Sequence, residues 1–134
     1  MKQISVFIEN SKGKLAEVTS LLADKNVDLR ALSIADTADY GILRIIADET
    51  DRAEKILADA GFVTKISDVI GVDIEDRPGS FARVVSSLGK AGISLEYAYA
   101  FTSSEKGRAF MAFRVNDAAR ATEALKKDGV TAII

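Results

Sequence analysis

A chain of 134 residues that is 48% hydrophobic and 28% charged has the balance of a soluble globular protein and not of a disordered one. It contains no Cys and no His, which removes thiolate nucleophiles, disulfides, cysteine-bound zinc and iron–sulfur clusters, and the usual general base at neutral pH. A net charge of −2 and an isoelectric point near 5.2 give no broad basic footprint for nucleic acid or an anionic membrane. No apolar run approaches the ~20 residues of a membrane span, and the first residues read as a strand rather than a secretory signal, so a cytoplasmic protein is expected.

Ile4, Val6 and Ile8 alternate with Ser5, Phe7 and Glu9, which predicts a strand over 3–9. After a Lys12-Gly13-Lys14 turn, Leu15, Val18 and Leu22 recur at helical spacing, with Leu21 widening the stripe and Asn26 placed to end the helix in a left-handed conformation. A strand over 27–35 follows, then a polar turn over 36–39, and Gly41 leads into a β-branched strand over 42–47. Asp48-Glu49-Thr50-Asp51 supplies helix-capping chemistry for a stripe of Ala53, Ile56, Leu57 and Ala60, stopped by Gly61. Residues 62–66 close the unit as a fourth strand.

The same order then recurs as 69–75, 81–91, 93–101, 108–115, 117–127 and 130–134. Asn10-Ser11-Lys12-Gly13-Lys14-Leu15-Ala16-Glu17-Val18 aligns with Asp76-Arg77-Pro78-Gly79-Ser80-Phe81-Ala82-Arg83-Val84 at an offset of 66 (79 minus 13). The offset holds from Leu22 on Leu88 to Gly41 on Gly107 and then becomes 68, matching Leu57 to Leu125 and Gly61 to Gly129, as if two residues had entered between Gly107 and Ala121. Only Ser67 and Asp68 are expected to separate the copies, which are read as domains 1–66 and 67–134. Repeats of about 65 residues are near the lower limit for an adequate core, so the copies are expected to pack on each other. The predicted class is α+β: two ferredoxin-like βαββαβ repeats, each an antiparallel sheet with helices on one face.

The turn at Asp76-Arg77-Pro78-Gly79-Ser80-Phe81 carries the most chemistry. Pro78 fixes its own φ and biases Arg77 toward an extended conformation, Gly79 removes a Cβ, and the first amides of the following helix point outward at the positive end of its dipole. Such a turn offers a place to a small carboxylate. It also does no more than start a helix in many folds.

These residues resemble the ACT domain, a regulatory module that binds amino acids and related small molecules. The resemblance covers nearly the whole chain. It rests on the apolar strand, Asp76-Arg77-Pro78-Gly79-x-Phe81-Ala82, the helix with Val84, Val85 and Leu88, and Gly92-Ile93-Ser94-Leu95 entering the next strand. The first copy departs from the pattern with Asn10-Ser11-Lys12-Gly13 and Asn26-Val27-Asp28-Leu29. The resemblance implies a ligand between two modules, touched by the strand–helix turn of one and the second-strand start of the other. By position the candidates are Asn10, Gly13, Lys14 and Asp28 in the first copy and Asp76, Gly79, Ser80 and Ser94 in the second. Amides near Gly13 and Gly79 suit an α-carboxylate, and Asp76, Asp28 and Asn10 suit an α-ammonium. Lys12, Lys14 and Arg77 would strengthen an anion site. Plainer readings are a helix cap for Asp76, a solvated charge for Asp28, and solvated basic side chains.

In a regular strand Ile93, Leu95, Tyr97, Tyr99 and Phe101 share one side, which reads as core against the helices; a bulge would instead turn Tyr97 or Tyr99 toward a pocket or partner. Phe7, Ile42, Ile46 and Phe110 lie opposite the expected core rows and predict sheet packing and a homodimer or larger assembly. The function expected is that of a non-catalytic, allosteric small-molecule sensor without cofactor or metal, taking an amino acid or related carboxylic acid, with a separate enzyme as a possible target. The alternatives are a regulatory subunit of an amino-acid biosynthetic enzyme, a small carboxylate-based enzyme, and an RNA-binding module, against which Asp73 and the acidic balance argue.

Overall fold

The computed structural model describes residues 1–9, 11–36, 39–102 and 105–133. Among them the chain runs β1 (Lys2–Glu9), α1 (Lys14–Asp24), β2 (Leu29–Asp36), β3 (Tyr40–Ala47), α2 (Thr50–Asp59), β4 (Val63–Asp68), β5 (Ile70–Glu75), α3 (Ser80–Lys90), β6 (Leu95–Ala100), β7 (Arg108–Val115), α4 (Ala118–Lys127) and β8 (Thr131–Ile133). The expected polar turn over 36–39 includes Thr37 and Ala38, which lie outside the described residues, as does Ile134 in the last predicted strand. Two units result, Lys2–Ser67 and Asp68–Ile134, the latter including Met1. Each is a βαββαβ module of the ferredoxin-like kind, with sheet orders β2-β3-β1-β4 and β6-β7-β5-β8.

In the first unit Ile4, Val6 and Ile8 of β1 and Leu43 and Ile45 of β3 face Val18 and Leu22 of α1 and Ala53 and Leu57 of α2. In the second, Ile70, Val72, Ile74 and Phe113 meet Val84, Leu88, Ala121 and Leu125. The apolar core residues of each helix stand four apart, with Ser87 also buried in α3, so each helix buries one stripe while its other faces meet water. Burying a single Leu of this kind is worth about 1.5–3 kcal/mol.

All four helices end in the same way. Asn26, Gly61, Gly92 and Gly129 take φ of 56°, 92°, 71° and 75°, and the amide one residue later (Val27, Phe62, Ile93, Val130) donates back to Leu22, Leu57, Leu88 or Leu125. This satisfies carbonyls that a helix C-terminus leaves open. Two arginines add to it: Arg52 donates to the Lys25 carbonyl and Arg120 to the Ala91 carbonyl, so the second helix of each unit caps the first.

Several boundaries differ from those read in the sequence. Ser67 and Asp68 belong to β4, leaving only Val69 before β5. Ile8 pairs with Gly41 but Ile74 with Ala109, so the offset is already 68 at the start of β7, and the two extra residues lie in the β6–β7 connection ahead of Gly107's supposed match. Glycine at 41 and 107 had suggested an equivalence that hydrogen-bond register does not support. Capping chemistry was expected of Asp48 to Asp51, yet α2 has no side-chain cap; Asp48 Oδ1 accepts instead from the amides of Asp28 and Glu49. Asp117 does cap α4, accepting from the Arg120 amide at 3.1 Å.

The aromatic row on β6 is not one row. Leu95 pairs with Val115 while Tyr97 pairs with Arg114, a step of two residues against one, so a bulge flips the face of everything after it. Ala98, opposite Phe113, packs on the core, and Tyr97 and Tyr99 stack on the other face with ring centroids 6.4 Å apart. A matching bulge separates Leu29 and Ala31 in β2.

Candidate functional site

β5 ends at Glu75, and the chain turns through Asp76 to Gly79 before α3 starts at Ser80. The turn is closed by its own backbone: Arg77 N–H donates to the Glu75 carbonyl at 3.0 Å, Ser80 N–H to the Arg77 carbonyl at 3.3 Å, and Arg83 N–H to the Gly79 carbonyl at 3.0 Å. Gly79 has φ 91° and no side-chain cap precedes the helix. A Cβ there would meet nothing within 4 Å, so glycine is needed for its torsion rather than for a close neighbour. The amides of Phe81 and Ala82, in the open first turn of α3, have no acceptor among the described residues.

The first unit reproduces this backbone without a proline. Ser11 N–H donates to Glu9 at 2.7 Å, Lys14 N–H to Ser11 at 3.3 Å and Glu17 N–H to Gly13 at 3.0 Å, with Gly13 at φ 88°. Asn10, the match of Asp76, lies outside the described residues.

Around the second turn the predicted residues divide. Asp76 is exposed, its amide bonded to the Gly107 carbonyl at 3.0 Å, and no described residue donates to its carboxylate; it does not cap α3. Arg77 pairs with Glu75 at 2.6 Å. In the first unit Lys14 reaches Glu17 at 3.3 Å and Lys12 is exposed. Asp28 and Ser94 are elsewhere. β2 starts opposite the end of β3, whereas the turn lies where β3 begins, so within their own units both residues stand at the other end of the sheet. Asp28 is ion-paired to Arg30 at 3.0 Å, and the Ser94 amide donates to Asn116 Oδ1 at 3.1 Å.

Two cavities flank the second turn. One, of about 260 Å³, holds Asp76 and Ser80 beside the apolar surface of Ile74, Phe81, Ala109 and Met111. Its counterpart in the first unit, about 230 Å³, has Ile8, Lys14, Leu15, Ile34 and Gly41. The other, of about 360 Å³, lies on the β8 side between β5, the first turn of α3 and Gly129–Val130, and draws in Asp73, Arg83 and Arg108, which sequence reasoning did not select. A signal for them existed in a charged residue inside the apolar β5 run and an arginine one helical turn beyond Gly79.

The sequence model of an ACT domain pair matches residues 1–133. The chain belongs to that family. A crystallised protein of Bacteroides thetaiotaomicron is 39% identical over 98% of this chain and 90% of its own, with a TM-score of 0.90. The regulatory subunit of aspartate kinase from Thermus thermophilus superposes with a TM-score of 0.69 at 16% identity, covering 94% of this chain and 91% of that one. The corresponding subunit from Thermus flavus gives 0.62 at 18% identity over 94% and 90%. At these lower identities the likeness is one of fold. A search of curated protein sequences finds no match. Among the described residues this ACT domain pair has no helix long and apolar enough to cross a membrane.

Proposed function

We propose that this ACT domain pair is a non-catalytic regulatory protein that senses an amino acid at its strand–helix turns. The observation that carries the reading is the cavity beside Asp76, where a carboxylate with no donor from the described residues stands next to open helix amides and an apolar wall. A zwitterion with an apolar side chain has three matching parts: its ammonium donates to Asp76, its carboxylate accepts from the first amides of α3, and its side chain rests on Phe81, Ala109 and Met111. Lys14 in the equivalent cavity adds a cation and favours the carboxylate end there. Gly13 and Gly79 set the turns, Ser80 offers a hydroxyl, and Lys12 and Arg77 supply positive charge at the rims. Asp28 and Ser94 join such a site when a second copy of the chain supplies its strand start, which makes a homodimer part of the proposal. The signal then passes to that copy or to a separate partner enzyme; family membership and the regulatory subunits of the same fold support this.

Calorimetry with amino acids and their keto-acid counterparts tests the reading. Asp76→Asn keeps shape and removes the charge facing the ammonium, so an amino acid loses about 1.5–3 kcal/mol, or ~10- to 100-fold in affinity, while the keto acid is unaffected. Equal affinity of an amino acid for the variant and the original chain contradicts the role of Asp76.

A further inference from the structure

The cavity on the β8 side of the second turn has a different chemistry. Arg77 from the turn, Arg83 from α3 and Arg108 from β7 all line it, together with Asp73 and Glu75, and Glu75 holds Arg77 in an ion pair at 2.6 Å. Arg108 directs both Nε and Nη2 to Asp73 Oδ1 at 3.0 Å, which fixes its plane and leaves its other N–H groups unused by that contact. Arg83 donates through Nη2 to the Asp128 carbonyl at 2.7 Å, and among the described residues no carboxylate pairs with it. Its position is therefore held while its charge is not neutralised. Gly79 and Ser80, at the start of the 11-residue helix α3, complete the same wall and bring it to the positive end of the helix dipole.

The duplicated fold supplies its own control. Strand register and helix alignment place Ser11, Glu17 and Tyr40 where the second unit has Arg77, Arg83 and Arg108, and Phe7 where it has Asp73. The first unit forms the same strands, turn and helix without these arginines, so the fold does not require them.

We infer that this cavity binds a small molecule carrying a phosphate group, on the opposite side of the turn from the cavity proposed for the amino acid, with which it shares Ile74, Glu75, Arg77 and Ser80 but not Arg83 or Arg108. A carboxylate has two oxygens and is matched by one guanidinium fork, whereas a phosphate has three terminal oxygens and two negative charges to share between donors arriving from a helix, Arg83, and a strand, Arg108. A volume of about 360 Å³ also leaves room for the rest of a small metabolite.

The test is an NMR titration of the full chain with inorganic phosphate at constant ionic strength, with chloride as control and a small phosphomonoester as a second arm. Saturable shifts are expected at the amides of Gly79, Ser80 and Gly129 and at the Arg83 and Arg108 side chains, with tighter binding of the monoester if the group belongs to a metabolite. Arg83→Gln and Arg108→Gln should each weaken phosphate at least about tenfold, as loss of one charged hydrogen-bonding partner implies, with Arg83→Lys in between. Their thermal unfolding is measured in parallel, and Glu17→Gln serves as the matched control in the first unit. Asp76→Asn should leave the phosphate titration unchanged, and the arginine variants should leave the amino-acid titration unchanged. Non-saturable shifts, shifts that chloride reproduces, or undiminished binding by folded Arg83→Gln overturn the inference without touching the amino-acid reading.

Discussion

Gly13 and Gly79 open their helices with almost the same torsion and the same three backbone hydrogen bonds, yet the side chains around them have little in common. One turn is Ser11-Lys12-Gly13-Lys14, flanked by Glu17 and Tyr40; the other is Arg77-Pro78-Gly79-Ser80, flanked by Arg83 and Arg108. Backbone closure in the first turn shows that Pro78 is not what makes the second. The fold fixes the amides and their direction, and each copy then sets its own charge around them. Chemistry that differs between two copies of one scaffold is chemistry the scaffold does not demand, which is why the arginines of the second unit point to a ligand more strongly than any feature the units share.

The comparison can be broken most severely in the cores. Leu57 and Leu125 occupy equivalent, fully buried positions, so Leu57→Ala and Leu125→Ala should each cost ~2–5 kcal/mol in chemical denaturation, by similar amounts. Values several-fold apart would show that the units are not energetically matched. Next come the turns: valine at either glycine must take a left-handed torsion, so Gly13→Val and Gly79→Val should both lose about 1–2 kcal/mol. A large loss at one and none at the other would end the claim of a shared backbone requirement. The smallest effect sharpens a difference. Asp117→Ala removes a formed helix cap and should cost about 1 kcal/mol, whereas Glu49→Ala at the equivalent place removes no cap and should leave the midpoint nearly unchanged.

Much of this architecture was legible because it follows from periodicity. The alternation of Ile4, Val6 and Ile8, the four-residue steps from Val18 to Leu22 and Val84 to Leu88, and the left-handed stop at Asn26 are local signals, and the repeat doubled each of them. What escaped was non-local. Sequence left a regular β6 and a bulged one side by side, because the choice depends on how Leu95 and Tyr97 pair with β7, and the pairing selects the bulge. The register of Ala109 against Ile74 likewise outweighed a match between two glycines. At the site, Asp76, Gly79 and Ser80 come together because they are neighbours in sequence. Arg83 follows Gly79 by one helical turn, but Arg108 and Gly129 join the second cavity only through the packing of β7 and the α4–β8 turn, and Asp28 and Ser94 are placed far from the turns of their own units for the same topological reason.

Because β2 and β6 are outer strands that both open on a bulge, neither sheet offers an incoming foreign chain an uninterrupted ladder along that rim. A straight strand docking there would fall out of step at Arg30 or Glu96, where one extra residue shifts donors and acceptors, and it would also bring its backbone against a charged side chain. Only the later part of each rim stays regular, Ala31–Asp36 in β2 and Tyr97–Ala100 in β6. The duplicated bulge thus shortens the ladder each outer strand can offer to strand addition, and the exposed Leu32 and Ile34 fall on the stretch of β2 that stays regular.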